Sequence, residues 1–258
     1  MGLVNNAIQW REPTEEILQR VGSYISNNLD YPEGFGLQNP YHSINHTRIH
    51  KHTRLKHIQW LRQSHSAVVR QAPTTAYIKA DACWTSRSYV ACAALTADCL
   101  PVFFANASAT QVAVAHAGWR GLAAGILENT LACFPKDDRI FAAFGPAISQ
   151  SNYEVGKELT DVFAEYPDAF KPINNSEKHL MSLYNLAASI LEKQGVASPI
   201  IPEWCSFGSR NLAGSNPDAH DIDNNATGGP LFPSHRRDKD VKSASKRNAR
   251  IANLIWLK

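Results

Sequence analysis

The densest apolar stretch of the chain, residues 96–121, reads TADCLPVFFANASATQVAVAHAGWRG. Val102–Ala105 and Val112–Ala115 are short, apolar and rich in β-forming residues, and the polar turn Asn106–Thr110 separates them, which predicts two adjacent core strands. Cys99 and His116 stand at the ends of these runs, facing one cleft. A thiolate beside an imidazole suits either a nucleophile with its base or two of the three protein ligands of an open zinc site. Spacing leaves both open.

The same reading, extended along the chain, predicts alternating strands and helices. Pro13–Leu29 carries Ile17, Leu18, Val21, Tyr24 and Ile25 on one helical stripe, with Pro13 near the first turn and Glu15 and Glu16 at the positive end. Tyr31–Asn45, rich in Pro, Gly and Asn, reads as loop. The tract YHSINHTRIHKHTRLKH then places His42, His46 and His50 four residues apart, on one face of a helix that could hold a metal. No acid or cysteine supports them, so solvated surface histidines are the preferred reading.

Ile58–His65 alternates as a half-buried strand ending in a histidine, and Thr75–Ile78 and Tyr89–Leu95 read as strands with Asp81 in the turn between them. Gly121–Phe134 reads as a helix entered past Gly118, Arg139–Phe144 as a buried strand, and Gly156–Tyr166 and Leu183–Lys193 as amphipathic helices, the last stopped by Gly195. Gly208–Pro230 is a loop long enough to suggest a functional role. Beyond it come the paired Arg236 and Arg237 and a closing strand, Ile251–Leu257. The pattern gives a mixed α/β class and one domain over residues 1–258.

Composition narrows the function classes. Hydrophobic residues make up 44% and charged residues 19%, as in soluble globular proteins. A net charge of +3, with no basic run interleaved with aromatics, argues against a nucleic-acid partner even though residues 239–250 are locally basic. No window approaches the ~18 uninterrupted apolar residues of a membrane span. The opening MGLVNNAIQWREP lacks the basic and apolar regions of a secretory signal, and five cysteines without a CxxC fit a reduced compartment, so a cytoplasmic protein is expected.

Together TADCLPVFF, VAVAHAGWRG, FGPAIS followed by NYEVG, WLRQSH and FPSHRRD resemble the YfiH-like family, long labelled multicopper polyphenol oxidoreductase or laccase-domain proteins. The resemblance runs from Gln59 to the C-terminus. It implies a layered α/β/β/α sandwich with mixed sheets, similar to the catalytic domain of cytotoxic necrotizing factor toxins. It also implies a zinc, with copper as the alternative, held by His65, Cys99 and His116, which are then the catalytic residues. Three protein ligands leave the fourth position open, as in catalytic zinc sites.

Members of that family are understood to cleave purine nucleosides (adenosine, inosine, guanosine or methylthioadenosine) with phosphate, and to deaminate adenosine. The implied partners are therefore a small-molecule nucleoside and phosphate. Phosphate suits bidentate arginines, and the resemblance offers Arg54, Arg236 and Arg237, whereas Arg120 could equally serve a structural ion pair. The chain departs from the family pattern at Thr53, at His235 and in the inserted Gly208–Pro230 loop. Three rival readings remain: a cysteine amide hydrolase acting through Cys99 and His116 on a peptidoglycan precursor, a copper-dependent polyphenol oxidase, and a non-enzymatic metal-binding or partner-binding protein that has lost activity at its altered edges. The oxidase needs many histidines in HxH pairs, and this chain offers one such pair, His50 and His52.

Overall fold

The computed structural model describes residues 8–26, 35, 39–74, 77–208, 232–238, 240 and 249–258. The chain opens with α1 (Glu15–Arg20), β1 (Val21–Ile25), α2 (Ile44–Thr53), β2 (His57–Gln59), β3 (Leu61–Arg62), β4 (Val69–Gln71) and β5 (Ile78–Lys79). Its middle is β6 (Ala82–Thr85), β7 (Val90–Thr96), β8 (Leu100–Asn106), β9 (Val112–Ala117), α3 (Trp119–Ala123), α4 (Ile126–Leu131) and β10 (Ile140–Phe144). There follow β11 (Glu154–Val155), α5 (Lys157–Val162), β12 (Phe170–Pro172), β13 (His179–Met181), α6 (Leu183–Lys193), α7 (His235–Asp238) and β14 (Ile251–Leu257).

Two mixed sheets dominate, with strand orders β1-β14-β7-β2 and β10-β8-β9-β6-β4. In each sheet the last pair, β2 with β7 or β4 with β6, is parallel and the rest are antiparallel. Period-2 alternation sorts the central strands into layers. Leu100, Val102 and Phe104 of β8 and Ala113 and Ala115 of β9 pack with Ile126 and Leu127 of α4 and Leu186 and Leu191 of α6. Phe103, Ala105, Val112 and Val114 turn the other way, onto Cys92, Ala94, Ile251 and Ile255 of the second sheet. That sheet's far face, through Ala91, Ala93, Ala252 and Leu254, packs on Ile49 of α2 and on Leu55 and Trp60. The result is the expected four layers, α/β/β/α.

Leu183–Lys193 and Ile251–Leu257 form as the pattern predicts, the helix capped by the Ser182 side chain. Other expectations need correction. The helix expected over Pro13–Leu29 ends at Arg20, because Val21–Ile25 is drawn out as a strand paired residue by residue with β14, from Val21↔Leu257 to Ile25↔Asn253. Tertiary pairing overrides a stripe that fits either element, and the Trp256 ring occupies the space that a side chain at Gly22 would need. Gly121–Phe134 breaks into α3 and α4 at Gly125, whose φ is +84°. Asp81 lies in a bend as expected, but that bend leads into β6, a strand too short to show in the pattern. The Gly208–Pro230 loop, apart from Gly208, lies outside the described residues, as do Thr75 and Ala76. Among the described residues no helix is long and apolar enough to cross a membrane.

Candidate metal centre

Strand directions gather the site. β4, β6 and β8 all run opposite to β9, so the starts of those three strands and the end of β9 meet at one edge of the five-stranded sheet. Cys99 immediately precedes β8, Asp81 precedes β6, the turn bearing His65 leads toward β4, and His116 is the penultimate residue of β9. The register Pro101↔His116 sets Cys99 beside the imidazole.

The donor atoms of His65, Cys99 and His116 lie within 4.8 Å of one another. Cys99 Sγ is 3.7 Å from His65 Nε2, and the two imidazole rings are 4.8 Å apart between centroids. Tetrahedral zinc, with Zn–S of about 2.3 Å and Zn–N of about 2.0 Å, separates its donors by roughly 3.5 Å, so the set fits. His116 is buried, Cys99 partly exposed and His65 exposed, which opens the cluster on one side. Gly118 leaves room for it: a Cβ there would stand 2.8 Å from Cys99 Sγ and 3.0 Å from His65 Cδ2. Among the described residues this is the one group of three such side chains close enough to share an ion.

The fully buried Asp81 carboxylate sits behind the cluster, 2.9 Å from His116 Nδ1. Burial alone would raise its pKa, but hydrogen bonds from His116 and Ser66 outweigh it and hold the carboxyl well below the usual range. Burial likewise pushes Cys99 up, yet the His116 charge and the two imidazole hydrogen bonds bring the thiol down to about 6. His116 responds in the opposite sense. Burial depresses it, while Cys99 and then Asp81 raise it to about 9, so without metal the pair rests as thiolate and imidazolium.

A cleft of about 400 Å³ opens onto the cluster, bordered also by Arg62, Tyr77, Arg120, His235 and Arg250. The anticipated arginines separate. Arg54 caps the end of α2 at φ +55°, exposed and outside the residues bordering the cleft. Arg237 has all five N–H donors engaged, by both Asp238 oxygens and by the carbonyls of Ser206, Phe207 and Phe232, leaving none for a phosphate. Exposed Arg236 lies over the Tyr153 ring at 5.1 Å and donates to the Glu154 carbonyl. Its backbone N–H bonds the Asp98 carboxylate, which ties α7 to the residue preceding Cys99. Arg120 makes no ion pair among the described residues; it stacks on Trp119 at 4.3 Å and borders the cleft.

Sequence reasoning gave Asp81 a place in a turn but no role, gave Gly118 close backbone approach at a helix start but no link to the site, and passed over Arg250. The available signal for Asp81 was an acid placed directly before an apolar run, a position where a buried charge demands partners. The histidine tract also differs from expectation. His42 is exposed, but His46 accepts a 2.9 Å hydrogen bond from Trp60 Nε1, its ring lies 4.6 Å from that of His50, and His50 Nδ1 bonds the Leu55 carbonyl. Burial, then His50 and His57, lower His46 to about 4. These two histidines are packing residues rather than solvated ones.

Comparison with known proteins agrees with the fold and the motifs. The signature of the family described as multi-copper polyphenol oxidoreductase laccase matches residues 41–258. A purine nucleoside phosphorylase of Pseudomonas aeruginosa is 36% identical over 203 residues, 77% of this chain and 73% of that protein. Purine nucleoside phosphorylase YfiH of Escherichia coli K12 is 36% identical over 205 residues, with the same coverage. The crystal structure of protein NMB0706 from Neisseria meningitidis superposes with a TM-score of 0.74 at 31% identity, covering 97% of this chain and 99% of that one. By its motifs, its four layers and these matches, the chain belongs to the multi-copper polyphenol oxidoreductase laccase family of YfiH-like proteins.

Proposed function

We propose that this protein is a zinc-dependent purine nucleoside phosphorylase, acting on adenosine, inosine, guanosine or methylthioadenosine at the His65–Cys99–His116 cleft. The observation that carries the reading is one cleft bordered both by an open three-donor cluster and by the guanidinium groups of Arg62, Arg120 and Arg250. Relatives that bear the phosphorylase name support it over most of the chain. A zinc held by the three side chains supplies a Lewis acid in the cleft.

The protein's own groups do the remaining work. Asp81 accepts from His116 Nδ1, so the Nε2 lone pair is left for the cleft. Stacking on Trp119 holds the Arg120 guanidinium plane, suiting it to a bidentate phosphate contact. On this reading Arg120 takes the role expected of Arg54, Arg236 and Arg237. Phosphate oxygen bonds to the anomeric carbon, the glycosidic C–N bond breaks, and its electron pair leaves with the base, which takes up a proton.

Purified zinc-loaded protein incubated with adenosine, with and without phosphate, tests this by chromatography of the products. Adenine and ribose 1-phosphate formed only with phosphate, and lost in Cys99→Ala, is the expected result. Inosine alone would make the protein a deaminase, and unchanged adenosine would sink the nucleoside reading.

A second reading has one specific observation behind it. The Cys99–His116 pair is oriented by Asp81 at 2.9 Å, the arrangement of a cysteine hydrolase with nucleophile, base and orienting acid. Turnover of an amide in the metal-free protein, abolished by thiol alkylation and not restored by zinc, would support it.

A further inference from the structure

We propose that Asp81 is a positioning residue that fixes both imidazole donors of the metal centre at once, His116 through its ring and His65 through its backbone. The inference rests on the metal-centre reading above. One oxygen of Asp81, Oδ1, accepts from His116 Nδ1 at 2.9 Å and from the His65 N–H at 2.9 Å. The other, Oδ2, accepts from the Ser66 N–H at 2.7 Å and the Ser66 hydroxyl at 2.6 Å, and the Ser64 N–H lies 3.2 Å from each oxygen. The Asp81 carbonyl also accepts the His116 N–H at 2.7 Å. A single residue thus grips His116 at two points and closes the turn 64–66 around its carboxylate.

The turn needs that grip. His65 has φ +59°, the left-handed region that costs a non-glycine residue roughly 1 kcal/mol or more. Three consecutive N–H groups converging on one carboxylate hold it there. Only a group with two acceptor oxygens can serve: asparagine keeps one oxygen and turns an NH₂ toward N–H donors or toward the imidazole N–H. Either orientation misaligns one of the two donors. The buried carboxylate also keeps the proton on His116 Nδ1, which commits Nε2 to the metal.

Zinc affinity of the metal-free protein, measured by competition with a chromophoric chelator, reads this directly and does not depend on turnover. Asp81→Asn is expected to bind zinc about 10–100-fold more weakly, the usual effect of losing such a partner. Ser66→Ala, which removes one hydroxyl bond to the turn and leaves the His116 contact, is expected to fall between it and the parent. A folded Asp81→Asn protein with affinity within twofold of the parent overturns the proposal.

Should Asp81→Asn not fold, nitrogen-resolved NMR of histidine-labelled parent protein decides. The Nδ1–H signal of His116 is expected to persist on zinc loading, and its disappearance would make Nδ1 the ligand and refute the assignment. Cys99→Ala separates the two readings. Loss of zinc there with full affinity in Asp81→Asn defeats the positioning role alone, whereas full affinity in both defeats the metal centre itself.

Discussion

Replacing Gly118 by alanine adds one methyl group where the backbone passes against Cys99 and His65, two of the three proposed metal donors. Its backbone, at φ −76° and ψ 164°, is open to any residue, so whatever the substitution does is the work of the Cβ. That atom would stand 2.8 Å from Cys99 Sγ, about 0.6 Å inside the 3.4 Å at which ordinary contact begins, and 3.0 Å from His65 Cδ2. A bound metal tolerates donor displacements of only about 0.2 Å. With zinc in place neither donor can retreat, and overpacking of this kind costs about 1–3 kcal/mol, equivalent to roughly 5–150-fold in affinity.

Without zinc the partly exposed Cys99 side chain can swing into the cleft, so the metal-free protein is expected to melt within about 2 °C of the parent, a cost below about 1 kcal/mol. The assay is chelator-competed zinc titration beside thermal denaturation of the metal-free form. Gly195→Ala is the control. Its φ is +78° with nothing within 4 Å of the new Cβ, so it should lower stability by about 1–2 kcal/mol and leave zinc affinity alone. Zinc binding by Gly118→Ala within twofold of the parent would refute the claim that this glycine makes room for the site.

Zinc binding should release the His116 proton between pH about 6 and about 9, where Cys99 is already thiolate, and the Cys99 proton in addition below that window; above it neither group has a proton to release. Calorimetry in buffers of different ionisation enthalpy measures this, and a pH-independent release would contradict the ion pair. Arg120→Ala should lower kcat/KM for phosphate about 10–100-fold, the worth of a charge-assisted bidentate contact, while Arg54→Ala leaves it unchanged; steady-state kinetics in varied phosphate distinguishes them. Arg237→Lys should lower the melting temperature by about 5–10 °C with zinc affinity intact, since its hydrogen bonds join Ser206 and Phe207 to Phe232 and touch no metal donor. An unchanged melting temperature would deny the arginine that structural role.

Much of this was legible wherever one local period governs. Leu183–Lys193 has a single buried stripe and a φ-positive glycine behind it, and Ile251–Leu257 is apolar at every position but Asn253 because both faces of its sheet are covered. Legibility failed where a partner distant in sequence decides. Val21–Ile25 fits a helical stripe and a strand equally, and only β14 chooses. Arg236 and Arg237 are adjacent and identical in type, yet one faces solvent over Tyr153 and the other is spent on carbonyls up to 31 residues away. The local signal at Asp81, an acid directly before an apolar run, marks a buried charge but not its partners, which lie at residues 64–66 and 116.

The approach of Cys99 to His116 was legible for a physical reason that those residues lack. Every residue of β8 and β9 is buried, and alternate side chains serve two different cores, α4 and α6 on one face and the second sheet on the other. Slipping the hairpin by one residue would exchange Phe103 and Phe104 between cores shaped for neither, so the pairing is fixed across its whole length. Cys99 and His116 inherit that fixity: the first lies one residue beyond the Leu100↔Ala117 pair, and the second faces the same side as Val112 and Val114, toward the second sheet. Their approach is thus written in the apolar pattern between them, and a reader of that pattern meets the site at its ends. His65 belongs to no such ladder. Its place depends on hydrogen bonds to Asp81 that hold a strained turn, which makes His65 the proposed donor most exposed to loss when that carboxylate is changed.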